Sequence, residues 1–145
     1  LATASRDEEV RKLSVELRYF EQTAENLQQR LSMMNAAITD LSYANMTLEG
    51  IEQEKENAEL LVPIGGSSYV KVKLASIDKV IVGMGAGVSI EKTVPEAKTI
   101  IKERLEEIDK TRVSGQQQLS QIAERINHGR ARMESLFAGL REGQQ

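Results

Sequence analysis

Few residues of this chain are of a type and spacing that could do chemistry. Gly83, Gly85 and Gly87 stand at alternate positions in KVIVGMGAGVSI, residues 79–90. Successive backbone N–H groups in such a stretch can cradle an anion. A dinucleotide fingerprint, however, needs G-x-G-x-x-G opening a helix. Counted from Gly83 its third glycine would be residue 88, which is Val88, and the strand-like VSIEKT follows. No Walker Lys-Ser/Thr pair follows the glycines either. They suit a hairpin instead, where positive φ and close backbone approach favour Gly. His128 is the only histidine and there is no cysteine, so a metal or catalytic cluster lacks partners and His128 reads as solvated. Glu52, Glu54, Glu56 and Glu59 spread round a helix and read as a solvated helix end rather than a cation site. Asn45-Met46-Thr47 matches the glycosylation sequon. Asn45 lies on an apolar helical seam, and the first 30 residues hold no signal-peptide apolar stretch. It reads as a register-setting polar residue. No catalytic, cofactor-binding or metal-ligating residue is assigned, so the chain is not read as an enzyme and no cofactor is expected.

Composition points to elements that position surfaces rather than reacting atoms. A length of 145 residues suits one domain. Aromatics make up only 3%, so the core must be mostly aliphatic. Abundant Glu, Gln, Lys, Arg, Leu and Ala favour long helices. The absence of Cys fits an intracellular protein, and no apolar run is long enough to span a membrane. Residues 1–59 carry a net charge of −6, residues 60–93 of +2 and residues 94–145 of +1. That is not the basic footprint of a nucleic-acid binder.

Residues 5–58 read as one helix, opened by a capping box of Ser5 with Glu8. Val10, Leu13, Leu17, Phe20, Ala24, Leu27, Leu31, Met34, Ile38, Leu41, Asn45 and Leu48 recur at alternating steps of three and four. This is the seam of a coiled coil. Residues 94–141 read as a second helix, with Thr93 and Glu96 as its capping box and Pro95 in its first turn. Its seam runs from Ile101, Leu105 and Ile108 to Met133, Leu136 and Leu140. Arg112, Gly115 and Gly129 interrupt it, which predicts looser packing and local distortion. Each helix must bury its stripe, and the simplest solution is an antiparallel coiled coil within the chain.

Residues 60–92 read as four strands in two hairpins, at about 60–64, 68–74, 79–83 and 88–92. Pro63 cannot donate to a ladder, so it marks an edge, a strand end or a bulge. With both helices projecting away, nothing in the chain would cover these strands. Their open edges and apolar faces are a template for pairing with other subunits. The fold class is therefore α+β: a long antiparallel helical coiled coil whose helices are joined by two β-hairpins that assemble into an intersubunit hub. The hub residues are expected to be Leu60, Val62, Ile64, Tyr69, Val70, Val72, Leu74, Val80, Val82 and Ile90.

The order helix, two hairpins, helix resembles prefoldin. LLVPIGGSSYVKVKL, a short linker, KVIVGMGAGVSIEKT and EAKTIIKERLE are similar to the two-hairpin, α-type subunit, over residues 58 to about 108. The flanking helices match in length and heptad pattern. The resemblance implies an ATP-independent holdase of the cytosol, in which two α-type and four β-type subunits form a hexamer around a double β-barrel hub. It further implies that the coiled-coil tips hold unfolded polypeptides and deliver them to a group II chaperonin. The free ends of the helices agree, since Val10, Leu13, Leu136, Phe137 and Leu140 offer apolar surface there, and Phe137 lies off the strict seam. The alternative is a structural coiled-coil adaptor or tether, assembled through the same hairpins but binding one folded partner.

Overall fold

A computed structural model describes residues 1–143. Helix α1 (Ala2–Glu52) leads to strands β1 (Glu59–Gly65), β2 (Ser68–Lys73), β3 (Lys79–Gly85) and β4 (Val88–Thr93), and helix α2 (Val94–Glu142) follows. The strands form two separate antiparallel hairpins, β1–β2 and β3–β4. The chain divides into two compact units. One combines Leu1–Ala36 with the chain from Lys110 onward, and the other is Ala37–Asp109.

Helix α1 differs from the expected 5–58 at both ends. The backbone N–H of Ser5 donates to the carbonyl of Leu1 (3.2 Å), so Ser5 lies inside the first turn and is not a cap. At the other end, N–H groups of Gln53 and Glu54 reach back three residues to Gly50 and Ile51, the tighter bonds that close a last helical turn. Asn57 then takes φ of 61°, which a helix cannot use. Its N–H donates to Leu74 O, and Leu74 N–H donates to Ala58 O, so residues 57–58 already belong to the base of the first hairpin. Helix α2 starts as the sequence predicts. Thr93 Oγ1 accepts from Glu96 N–H (3.3 Å), the side-chain half of the capping box.

In the unit holding the chain ends, α1 and α2 pack antiparallel, and at two of the interruptions in the α2 seam a leucine of α1 comes close to the glycine. A Cβ on Gly129 would lie 2.6 Å from Leu17 Cδ2, and one on Gly115 would lie 3.2 Å from Leu31 Cδ2. Each glycine receives a leucine from α1. Leu17 to Leu31 and Gly129 to Gly115 are both steps of 14 residues, two heptads, taken in opposite directions. The expected local distortion is thus corrected: large residues on one helix face missing side chains on the other, and α2 runs unbroken. Arg112 is half-buried and donates to Gln116 Oε1 on its own helix (3.2 Å). Ion pairs flank the seam, Arg130 to Glu21 (2.9 Å) and Arg132 to Glu9 (2.8 Å).

In the other unit, Leu48 of α1, Val82 of β3 and Val94, Ala97 and Ile101 of α2 form a buried apolar cluster. Leu41, Ala44, Ile51, Val80, Ile100 and Leu105 pack around it. Lys98 pairs with Glu52 across it (3.0 Å). Asn45 donates to Glu49 on its own helix (3.4 Å), so it sets no register by a bond to the partner helix.

Candidate functional site

The glycine-rich stretch closes a hairpin. Gly85 and Gly87 have φ of 96° and 76°, and Ala86 between them has 52°. Residues 86–87 form a two-residue loop with both φ positive, the turn whose twist suits paired strands. Gly66 and Ser67 repeat it at the first hairpin, with φ of 55° and 58°. Gly83 departs from the expectation: it has no left-handed φ, and a Cβ there would meet nothing within 4 Å. No helix follows these loops, so a phosphate would find no helix N-terminus beside them. His128 is exposed, beside Glu16, Phe20, Glu124 and Arg125. Among the described residues no cluster of His, Cys, Asp and Glu is arranged to hold a metal ion. Among the described residues no helix is long and apolar enough to cross a membrane.

What the hairpins offer instead is apolar surface. In β1–β2, Leu60 faces Val72 and Val62 faces Val70, while the alternate pairs are Leu61 with Lys71 and Pro63 with Tyr69. Side chains alternate between faces along a strand, so both faces of this hairpin carry apolar groups. Leu61 is 63% exposed and Tyr69 60%, and Val62, Ile64 and Val70 are exposed too. Leu60, Val72 and Leu74 are half-buried. The register slips between Pro63 and Gly65, which places a bulge next to the proline.

The second hairpin is held differently. Val82 faces Ile90 across the ladder, yet Val82 is only 7% exposed, buried in the cluster with Leu48, Ala97 and Ile101. The expectation that both helices project away from the strands fails for this hairpin. Thr93 passes into α2 without a linker, so the helix doubles back beneath the strands and covers the face carrying Val80 and Val82. Val82 is therefore a core residue of its own chain, not surface offered to another subunit. Ile81, which points the other way, is 78% exposed, and Met84, Val88 and Ile90 are exposed as well. Sequence reading missed Ile81 and Leu61. Both belong to continuous apolar runs, whose signal is a strand covered on both faces.

At the chain ends Val10, Leu13 and Leu140 are half-buried, and Phe137 is 48% exposed. Leu136 is 7% exposed, packed in the seam, so it offers surface only where the last turns open. Arg6 lies beside Gly139, which brings both ends of the chain together.

Residues 20–138 match the family model described as prefoldin subunit. This chain belongs to the prefoldin family. The match extends well into both helices, beyond the strand region that carries the resemblance in the sequence. Relatives named prefoldin subunit alpha include one from Methanosarcina mazei, 33% identical over 140 residues, covering 94% of this chain and 96% of the relative. Another, from Methanococcoides burtonii, is 33% identical over 122 residues, covering 83% and 87%. Among solved structures, the filamentous PFD from Methanocaldococcus jannaschii superposes with a TM-score of 0.66 at 25% identity, over 79% of this chain and 95% of that one. The prefoldin β subunit from Thermococcus strain KS-1 shares the fold, with a TM-score of 0.58 at 16% identity over 88% and 90%. Prefoldin is a family of chaperone subunits, not of enzymes.

Proposed function

We propose that this chain is the α-type subunit of a cytosolic, ATP-independent holdase. It assembles through its hairpins with β-type subunits, two α with four β in a hexamer around a β-barrel hub. The tips of its helix pair, around Val10, Leu13, Phe137 and Leu140, hold unfolded polypeptides for delivery to a group II chaperonin. The observation that carries this reading is the first hairpin. Leu61 and Tyr69 on one face and Val62 and Val70 on the other are exposed together. An isolated two-stranded hairpin is marginal in water, and one apolar on both faces needs a partner sheet. The relatives named prefoldin subunit alpha, aligned over nearly the whole chain, support the same assembly.

Two measurements test it together. Native mass spectrometry of the chain mixed with a single-hairpin β-type subunit should give the mass of two α with four β. The complex should then suppress aggregation of several unrelated denatured proteins with no nucleotide present. Protection of a single folded partner only would favour the adaptor reading, and a strict ATP requirement would overturn the holdase mechanism.

A further inference from the structure

The two hairpins are attached to the helices unequally, and one side chain makes the difference near the second turn. Arg104 Nη2 on α2 donates to the carbonyl of Gly83 on β3 at 2.6 Å, and the same nitrogen lies 3.8 Å from Met84 Sδ. Gly83 is the last paired residue before the ladder slips to Gly85. The base of the hairpin is held as well, since Val94 N–H donates to Asp78 O (3.1 Å). Between these two points Val82 enters the buried cluster. The spans agree: from Val94 to Arg104 α2 advances ~15 Å at ~1.5 Å per residue, and from Lys79 to Gly83 β3 advances ~13 Å at ~3.3 Å per residue. Strand and helix run side by side from a shared start, and Arg104 closes the far end. Among the buried residues and the partly buried hydrophobics packed on them, β1–β2 contributes no member.

We infer that Arg104 is a positioning residue for subunit assembly. Its guanidinium fixes the second hairpin along α2, so that the face bearing Ile81 meets an incoming subunit at one defined angle. The first hairpin stays free of the helices to pair with that subunit. A charge-assisted bond to a backbone carbonyl suits this role, because it is directional where the apolar contacts at Val82 are not. This inference rests on the proposed assembly through the hairpins.

The test uses the full chain as wild type and as Arg104→Met, Arg104→Lys and Lys102→Met, each titrated with a β-type subunit. Complex formation is read by native mass spectrometry, and helicity and melting by circular dichroism. Arg104→Met is expected to weaken assembly at least tenfold while the helical signal and melting midpoint stay at wild-type values. Arg104→Lys, which keeps one donor and the charge, should recover part of the loss. Lys102→Met, an exposed charge on the same helix, should assemble as wild type. The inference is overturned if Arg104→Met assembles normally, if its assembly falls only in step with melting, or if Lys102→Met weakens assembly equally. A wild-type chain that forms no complex at all would instead overturn the proposed function, and this inference with it.

Discussion

Ala86 is the residue whose backbone and side chain disagree most plainly. Its φ of 52° places a Cβ in the left-handed region, at a cost of ~1–2 kcal/mol for an L-residue. It persists because the two-residue turn between β3 and β4 demands positive φ at both positions. Asn tolerates that conformation better than Ala through local hydrogen bonding. Ala86→Asn should therefore stabilise the second hairpin by ~0.5–1 kcal/mol. The readout is amide hydrogen exchange over residues 79–93, which should slow by roughly two- to fivefold, since ~1.4 kcal/mol corresponds to a factor of ten. Unchanged exchange would mean that the surrounding ladder, not the turn, limits opening. Gly83 shows the opposite case. Nothing within 4 Å opposes a Cβ there, and its role in the structure lies in its carbonyl.

At the scale of elements, the helix pair depends on filling missing side chains. Gly129→Leu would drive new atoms into the position of the Leu17 methyl, 2.6 Å from where the first of them must sit. Overpacking of this kind costs ~1–3 kcal/mol, partly offset by the better helix propensity of Leu. Leu17→Ala alone should also destabilise, by leaving the glycine facing a void. The double variant exchanges large and small across the seam and should recover much of the loss. Urea melts of all four chains should show a coupling of ~1–3 kcal/mol between the two sites, and simple additivity would mean that they do not touch. This pair also marks what the sequence made legible. Steps of three and four from Val10 to Leu48 announce the stripe on α1, because a single helix carries that period. Gly115 and Gly129 read as gaps, since the leucines that fill them lie about a hundred residues away and local pattern says nothing of a partner's contour. The hairpins were legible from Gly65-Gly66, Gly85 and Gly87, whose conformational freedom is a local property. The cover over Val82 was not. It comes from Leu48, Ala97 and Ile101 converging across distant parts of the chain, and from Arg104, twenty-one residues beyond Gly83.

For the whole molecule, stability of the chain and stability of its assembly separate at neighbouring positions. Val82→Asp would bury a carboxylate in the chain's own cluster, a loss of several kcal/mol without a partner, and should lower the melting temperature of the free subunit. Ile81→Lys places a charge on the exposed face opposite Glu91, an arrangement that guards open strands against pairing. It should leave melting of the free subunit within ~0.5 kcal/mol of wild type while native mass spectrometry shows loss of the complex. An intact complex would remove Ile81 from the hub. Client holding should be separable in turn, at Phe137. Its ring is 48% exposed while its neighbour Leu136 is buried in the seam, so the coiled coil gains little from it. Glu134 and Arg141 border it, with Ala138 and Leu140 alongside, an apolar surface with a polar rim as protein-binding surfaces often have. Phe137→Gln should keep assembly at wild-type values and change melting little, because about half of the residue is already exposed and it lies off the seam. Several tips acting on one client make later contacts intramolecular, so a modest loss at each α-type tip is amplified in the complex, while β-type tips keep the effect partial. Light scattering of a diluted denatured protein, with reconstituted wild-type and variant complexes and no ATP, is expected to show weaker protection by the variant. Equal protection would move the client surface away from Phe137, to residues exposed only when the last turns around Leu136 and Leu140 open.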